Sequence, residues 1–184
     1  MNLCYDALDL SIIRGKADKP AVEGAHTMTR AQLLAEVGAL AGLLRGVGVA
    51  EGVAVMVAVE DPYVELLALL ATSRLGATVV EWREGRLGEH QPHAVIADRA
   101  LDYSEHAPGT VVLLEDEPTD PLRDLPWETA MTAGRSDPAG SVRGDATAVA
   151  WVLDAPVTTE AAPSDNSRYG RWIADLIAGR PVSL

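Results

Sequence analysis

The sequence predicts an α/β fold in which a mostly parallel, doubly wound sheet carries helices on both faces. Three observations predict it. Short apolar runs of strand length alternate with longer segments of helical period through the middle of the chain, which calls for crossover connections. The run Val53–Val59 is apolar along its whole length, as a strand buried on both faces of a parallel sheet should be. Finally, 48% of the residues are hydrophobic while aromatics reach only 4% and Phe is absent, so the interior is aliphatic and suited to packed layers.

Each element has its own signal. Residues 3–14 place Leu3, Leu8, Ile12 and Ile13 near helical spacing, with Gly15 to end the segment. A short strand pair, Ala21–Glu23 and His26–Met28, is joined by Gly24-Ala25. Thr29 and Gln32 form a capping box ahead of Leu33, Leu34, Val37, Leu40 and Leu44, and this amphipathic helix stops around Gly46-Val47-Gly48. After the strand Val53–Val59, Asp61 is an N-cap and Pro62 the first residue of a helix that runs to Gly76. Further strands are expected at Ala77–Glu81, Ala94–Ala97, Val111–Leu114 and Ala148–Leu153, with a short helix at Trp127–Thr132 and a last helix at Arg168–Ala178. Arg83–His93 reads as a short polar loop. Residues 115–144, with four prolines, three glycines and many acids, read as an irregular surface excursion of a single domain spanning 1–184.

Charge narrows the partners. Fifteen basic against 27 acidic residues leave a formal charge of −12, which repels nucleic-acid phosphates and anionic membranes alike. The only lysines, Lys16 and Lys19, lie near the start, so a phosphate site farther along would need Arg, backbone N–H groups or a metal. One cysteine, Cys4, allows no internal disulfide, and Asp6 and Asp9 stand where a signal peptide needs an apolar stretch; a cytoplasmic location is expected. The apolar region Val64–Val80 is broken by Ser73, Arg74 and Gly76, too soon for a membrane span.

Several short segments, in order over residues 2–81, carry a resemblance. Asn2-Leu3-Cys4-Tyr5-Asp6-Ala7-Leu8-Asp9 resembles the N-terminal helix of short-chain acyl-CoA synthetases of the adenylate-forming superfamily, and Lys19-Pro20-Ala21 is similar to the entry of their first strand. Thr27–Leu33 is similar to their T-Y-x-E-L helix start, Leu44–Val49 to their L-x-x-x-G-V turn, and Gly52–Met56 to their G-D-x-V strand; Leu75-Gly76-Ala77 falls where they have I-G-A or L-G-A. The resemblance implies a fold like the N-terminal subdomain of those enzymes, which join a carboxylic acid to CoA through an acyl-adenylate made from ATP.

The family's phosphate loop, Ser/Thr-Gly-Thr-Ser/Thr-Gly-x-Pro-Lys-Gly, follows a strand and lets backbone N–H groups approach phosphates because glycine permits the required angles. The matching stretch here is Trp151–Glu160, where Asp154, Thr158 and Thr159 mark the degenerate loop position; no glycine lies between Gly144 and Gly170 and no lysine follows. Two carboxylates beside a triphosphate repel it by about 1 kcal/mol per charge pair at ~4 Å in water and more where the dielectric falls. Loss of one aimed donor typically costs roughly 10²–10³ in rate. The family's later Tyr-Gly-x-Thr-Glu segment, its ribose-binding Asp and the C-terminal domain with the adenylation lysine have no counterpart in the sequence. The resemblance therefore implies no adenylate formation by this chain alone and no catalytic residues.

Other motifs give way to plainer readings. Gly46-Val47-Gly48 has the wrong spacing and follows a helix, the reverse of a dinucleotide fingerprint, so it is a helix stop. His90 and His93 are separated by Pro92 and lack a third ligand nearby, so no metal is expected. In open parallel sheets ligands bind beyond the carboxyl ends of the strands, which puts Glu81, Trp82, Arg83, Asp98 and Arg99 at the default pocket. Three readings of function follow. The first is a non-catalytic module that self-associates or binds a protein partner, with no cofactor. The second is half of a split ATP-dependent synthetase, and the third a binder of an adenine nucleotide, CoA or an acyl group; only these two would need ATP with Mg or CoA.

Overall fold

A computed structural model describes residues 1–184. The strand-length runs of the middle chain form the centre of a sheet. They are β3 (Ala54–Ala58), β4 (Thr78–Glu81), β5 (Ala94–Ala97), β6 (Thr110–Leu113) and β8 (Val149–Val152). Two strands without a sequence signal extend the edges, β7 (Asp124–Pro126) and β9 (Pro156–Thr158), in the order β7-β6-β5-β3-β4-β8-β9. Every pairing is parallel except β8 with β9, which form a hairpin. The mostly parallel α/β sheet expected from the alternation is thus what forms. Both edge strands carry a proline, Pro126 and Pro156, which blunts them against pairing with another chain.

The remaining strands, β1 (Pro20–Glu23), β2 (Met28–Thr29) and β10 (Val182–Ser183), make a second sheet in the order β10-β1-β2. β10 joins it because α6 (Arg168–Ile177) returns the chain beside β1, a pairing no local pattern announces.

Helices cover the two faces unequally. The strand period of two sends Val55, Val57, Val79, Ile96 and Val112 to a large core shared with α2 (Arg30–Gly46), α3 (Pro62–Arg74), α5 (Trp127–Ser136) and α6. Met56, Val80, Val95, Val111, Leu113 and Val152 face the other way, where one short helix, α4 (Arg86–His90), adds Leu87. The polar loop expected at Arg83–His93 therefore contains a helical turn. It ends at Gln91, whose φ of 44° is left-handed, directly ahead of Pro92.

Capping follows the sequence closely. Thr29 and Gln32 make the reciprocal capping box of α2, and Asp61 accepts from Tyr63 N–H at 2.8 Å with Pro62 opening α3. The first helical segment is instead a π-helical turn, Tyr5–Asp9, running into α1 (Leu10–Ile13). It is anchored by Asn2, whose amide donates to the carbonyls of Ser73, Arg74 and Val142. Residues 115–144, expected as an irregular excursion, hold β7 and α5. Ala130, Met131 and Gly134 are buried, and α5 crosses α2 so closely that a Cβ on Gly134 would lie 2.0 Å from the Ala39 carbonyl oxygen.

Candidate functional site

The carboxyl ends of β4 and β8 gather a network of charged side chains. Glu81, the last residue of β4, accepts from Arg83 Nη2 at 2.7 Å and from Arg168 Nη2 at 2.8 Å. Arg83 reaches on to Asp154 Oδ1 at 2.6 Å. Arg86, at the start of α4, donates to the carbonyls of Glu81 at 3.1 Å and of Leu153. Below them Glu65, from the first turn of α3, is ion-paired to Arg168 and accepts from the Tyr169 hydroxyl at 2.8 Å.

Two environments result. Burial pushes the Glu65 carboxyl up, with Tyr169 and Arg168 offsetting part of the rise, and burial next to Glu65 pushes the Tyr169 phenol up as well. At the surface, the hydrogen bond from Arg83 holds the Asp154 carboxyl below the usual carboxylate range, and Asp154 with Glu81 raises Arg83 in turn. Each of Arg83, Arg86 and Arg168 already donates to a carboxylate or carbonyl, so an anion arriving here competes with those acceptors.

The backbone over 151–160 is closed as well. Leu153, Asp154 and Ala155 form the whole connection between β8 and β9, which pair as Val152 with Pro156 and Trp151 with Val157. Thr158 lies in β9, and the N–H and hydroxyl of Thr159 both donate to the Ala148 carbonyl, at 2.9 and 3.1 Å. Thr159 thus spends both of its donors on the hairpin.

The expected pocket residues divide into two groups. Glu81, Trp82 and Arg83 stay together, and Trp82 and Arg83 line a surface cleft with Glu84, Asp102, Ser104 and Glu105. Asp98 is buried elsewhere, accepting from Glu60 N–H at 2.6 Å and so tying the end of β5 to the end of β3. Arg99 turns to solvent beside Glu60 at 3.8 Å and does not reach the cleft. Sequence reasoning missed Glu65, Arg86, Arg168 and Tyr169. A signal existed for Glu65, a lone carboxylate within the apolar helix Val64–Leu70. His90 and His93 do not converge, since His93 Nε2 lies 2.7 Å from the Val47 carbonyl, and no group of three candidate metal-ligating side chains forms anywhere in the chain. No helix is long and apolar enough to cross a membrane.

Comparison with known proteins gives this arrangement a context. No family model matches the chain. It is 25% identical over 173 residues to acyl-CoA synthetase short-chain family member 3, mitochondrial, of Homo sapiens, an alignment that takes in 74% of this chain and 25% of that protein. The Mus musculus and Bos taurus proteins of the same name match at the same identity and coverage. The chain thus spans about a quarter of the length of the curated relatives it matches. Among solved structures, coronafacic acid ligase from Pectobacterium brasiliense superposes with a TM-score of 0.77 at 14% identity, over 100% of this chain and 45% of that one. A mutant form of that ligase gives 0.74 at 13%.

Proposed function

We propose that this chain, which resembles the N-terminal part of adenylate-forming acyl-CoA synthetases, is a non-catalytic relative that acts as a protein-interaction or regulatory module. One observation carries the reading: the phosphate-loop position is a closed three-residue turn whose Asp154 is paired with Arg83. A triphosphate approaching that turn meets a carboxylate, finds no glycine backbone to approach, and finds Arg83 already engaged. The same turn argues against the split-enzyme reading, because a complementing chain would not supply the missing glycines. We further place the protein in the cytoplasm, where its single buried thiol, Cys4, needs no partner.

A second reading rests on the cleft beside Trp82, a residue 41% exposed. A flat aromatic wall there could hold a small ligand, although Glu84, Asp102 and Glu105 on the rim oppose a nucleotide or CoA.

A thermal-shift panel with Mg-ATP, AMP, CoA and short acyl-CoAs separates the readings. Ligand at ~100 times its Kd stabilises by about 2.7 kcal/mol, which moves the midpoint of a chain this size by several degrees at roughly 2–4 °C per kcal/mol. The interaction-module reading expects no shift with any of them. A shift with a nucleotide or CoA would overturn it in favour of the cleft.

A further inference from the structure

We propose that the chain associates head to tail with a second copy of itself, the turn at Leu122 of one copy seating in an apolar groove between α1 and the end of α6 of the next. This deepens the reading of the chain as an interaction module and rests on it.

Leu122 is the donor side of the contact. It is 97% exposed, more than any other large apolar side chain of the protein, and it sits in the turn of residues 120–123 that leads into β7. The turn is held from within. The Asp124 carboxylate accepts from Thr119 N–H at 3.0 Å and Asp120 N–H at 2.9 Å and pairs with Arg123 at 2.6 Å. Asp120 in turn accepts from Leu122 N–H at 3.0 Å, and the Arg123 guanidinium lies over the Tyr103 ring at 4.5 Å. A leucine presented outward on a loop already fixed by its own hydrogen bonds loses little conformational entropy when it inserts into a partner. Two exposed acids of the same loop, Glu117 and Asp120, precede it closely in the chain.

The groove complements it in shape and sign. Leu10, Pro163 and the half-exposed Ile177 supply apolar walls, with Arg14 and Lys16 against one acid, Asp6, on the polar side. Neither Arg14 nor Lys16 takes part in any ion pair of the chain, although the net charge is −12 and acids outnumber bases almost two to one. These cations are therefore free to meet the acidic loop.

Position excludes an internal contact. The Leu122 loop leads into β7 at one edge of the sheet, whereas Pro163 follows β9 at the opposite edge. Two different patches meeting between copies make a heterologous interface, which grows past the dimer unless it closes into a ring. A knob and a groove bury little area, so the affinity belongs at the weak end of specific interfaces.

Sedimentation of the full chain at physiological salt, from low to a few hundred μM (about −5 to −8 kcal/mol of association), provides the test. The weight-average mass should climb above 19.4 kDa with concentration. Leu122→Asp and Lys16→Glu should each weaken association about tenfold or more, equivalent to ~1.4 kcal/mol. Combining Lys16→Glu with Glu117→Lys should restore part of it. All three substituted side chains, Leu122, Lys16 and Glu117, are exposed, so folding should be preserved, with circular dichroism as the check. A wild-type mass of 19.4 kDa at every concentration, or association untouched by Leu122→Asp, overturns the proposal. Neither result bears on nucleotide or CoA binding, so the thermal-shift panel judges the underlying reading separately.

Discussion

Arg83 and Asp154 meet at 2.6 Å across 71 residues of sequence, joining the exit of β4 to the turn between β8 and β9. The contact pins the three-residue turn that joins the two strands. Removing the acid alone does not open it, because Arg83 still holds Glu81 at 2.7 Å and the turn keeps its non-glycine backbone. Asp154→Asn is therefore expected to leave the thermal midpoint as insensitive to Mg-ATP as the parent chain. A new Mg-ATP-dependent shift in this variant would show that charge alone had been excluding the nucleotide.

Glu65 is the buried centre of the same network. Glu65→Ala leaves the Tyr169 hydroxyl without its acceptor and removes one of two carboxylate partners of the partly solvated Arg168, which keeps Glu81, so the expected loss in urea unfolding is about 2 kcal/mol. Tyr169→Phe should cost less, about 1 kcal/mol. The two changes should be clearly non-additive, since they remove the same hydrogen bond.

Acid stability should depend on Asp124. Burial works against its ionisation, but Arg123 and the donors of Asp120 and Thr119 outweigh burial and hold the carboxyl at about 2. Its ordinary value is near 3.8, so as pH falls the unfolded chain takes up the proton first. The stabilisation is complete above about pH 4 and is lost as pH falls towards 2. Glu65, with its raised value, runs oppositely: its ionisation costs stability as pH rises through the folded-state value. Asp124→Asn should flatten the acid limb of a stability–pH profile below pH 4 and leave the Glu65 contribution in place.

The crossing of α2 and α5 should be intolerant of a single methyl group. Gly→Ala in an exposed helix ordinarily stabilises by about 1 kcal/mol. At Gly134 the added Cβ would lie 2.0 Å from a backbone oxygen of α2, which cannot rotate away as a side chain would. Gly134→Ala is expected to destabilise by about 3 kcal/mol, by denaturant unfolding. Gly140, with open space around it, should accept Ala without that loss.

Local chemistry alone determined most of the layered core. The Thr29–Gln32 capping box, the Asp61-Pro62 helix start and the apolar runs at β3, β4, β5 and β8 each carry their meaning within a few residues, because periodicity and capping are short-range effects. The sequence also placed Glu81, Trp82 and Arg83 at a strand end, where they are found together. Tertiary structure decided the rest. Glu65 meets Arg168 across 103 residues, Asp98 ties to Glu60 instead of lining the cleft, and β9 folds back as an antiparallel edge while β10 crosses to a second sheet. A side chain's neighbours depend on strand order and helix crossing, which are settled only when the core packs, so Glu81, Trp82 and Arg83 were legible beforehand while Glu65, Arg86, Arg168, Tyr169 and the pairings among them were not.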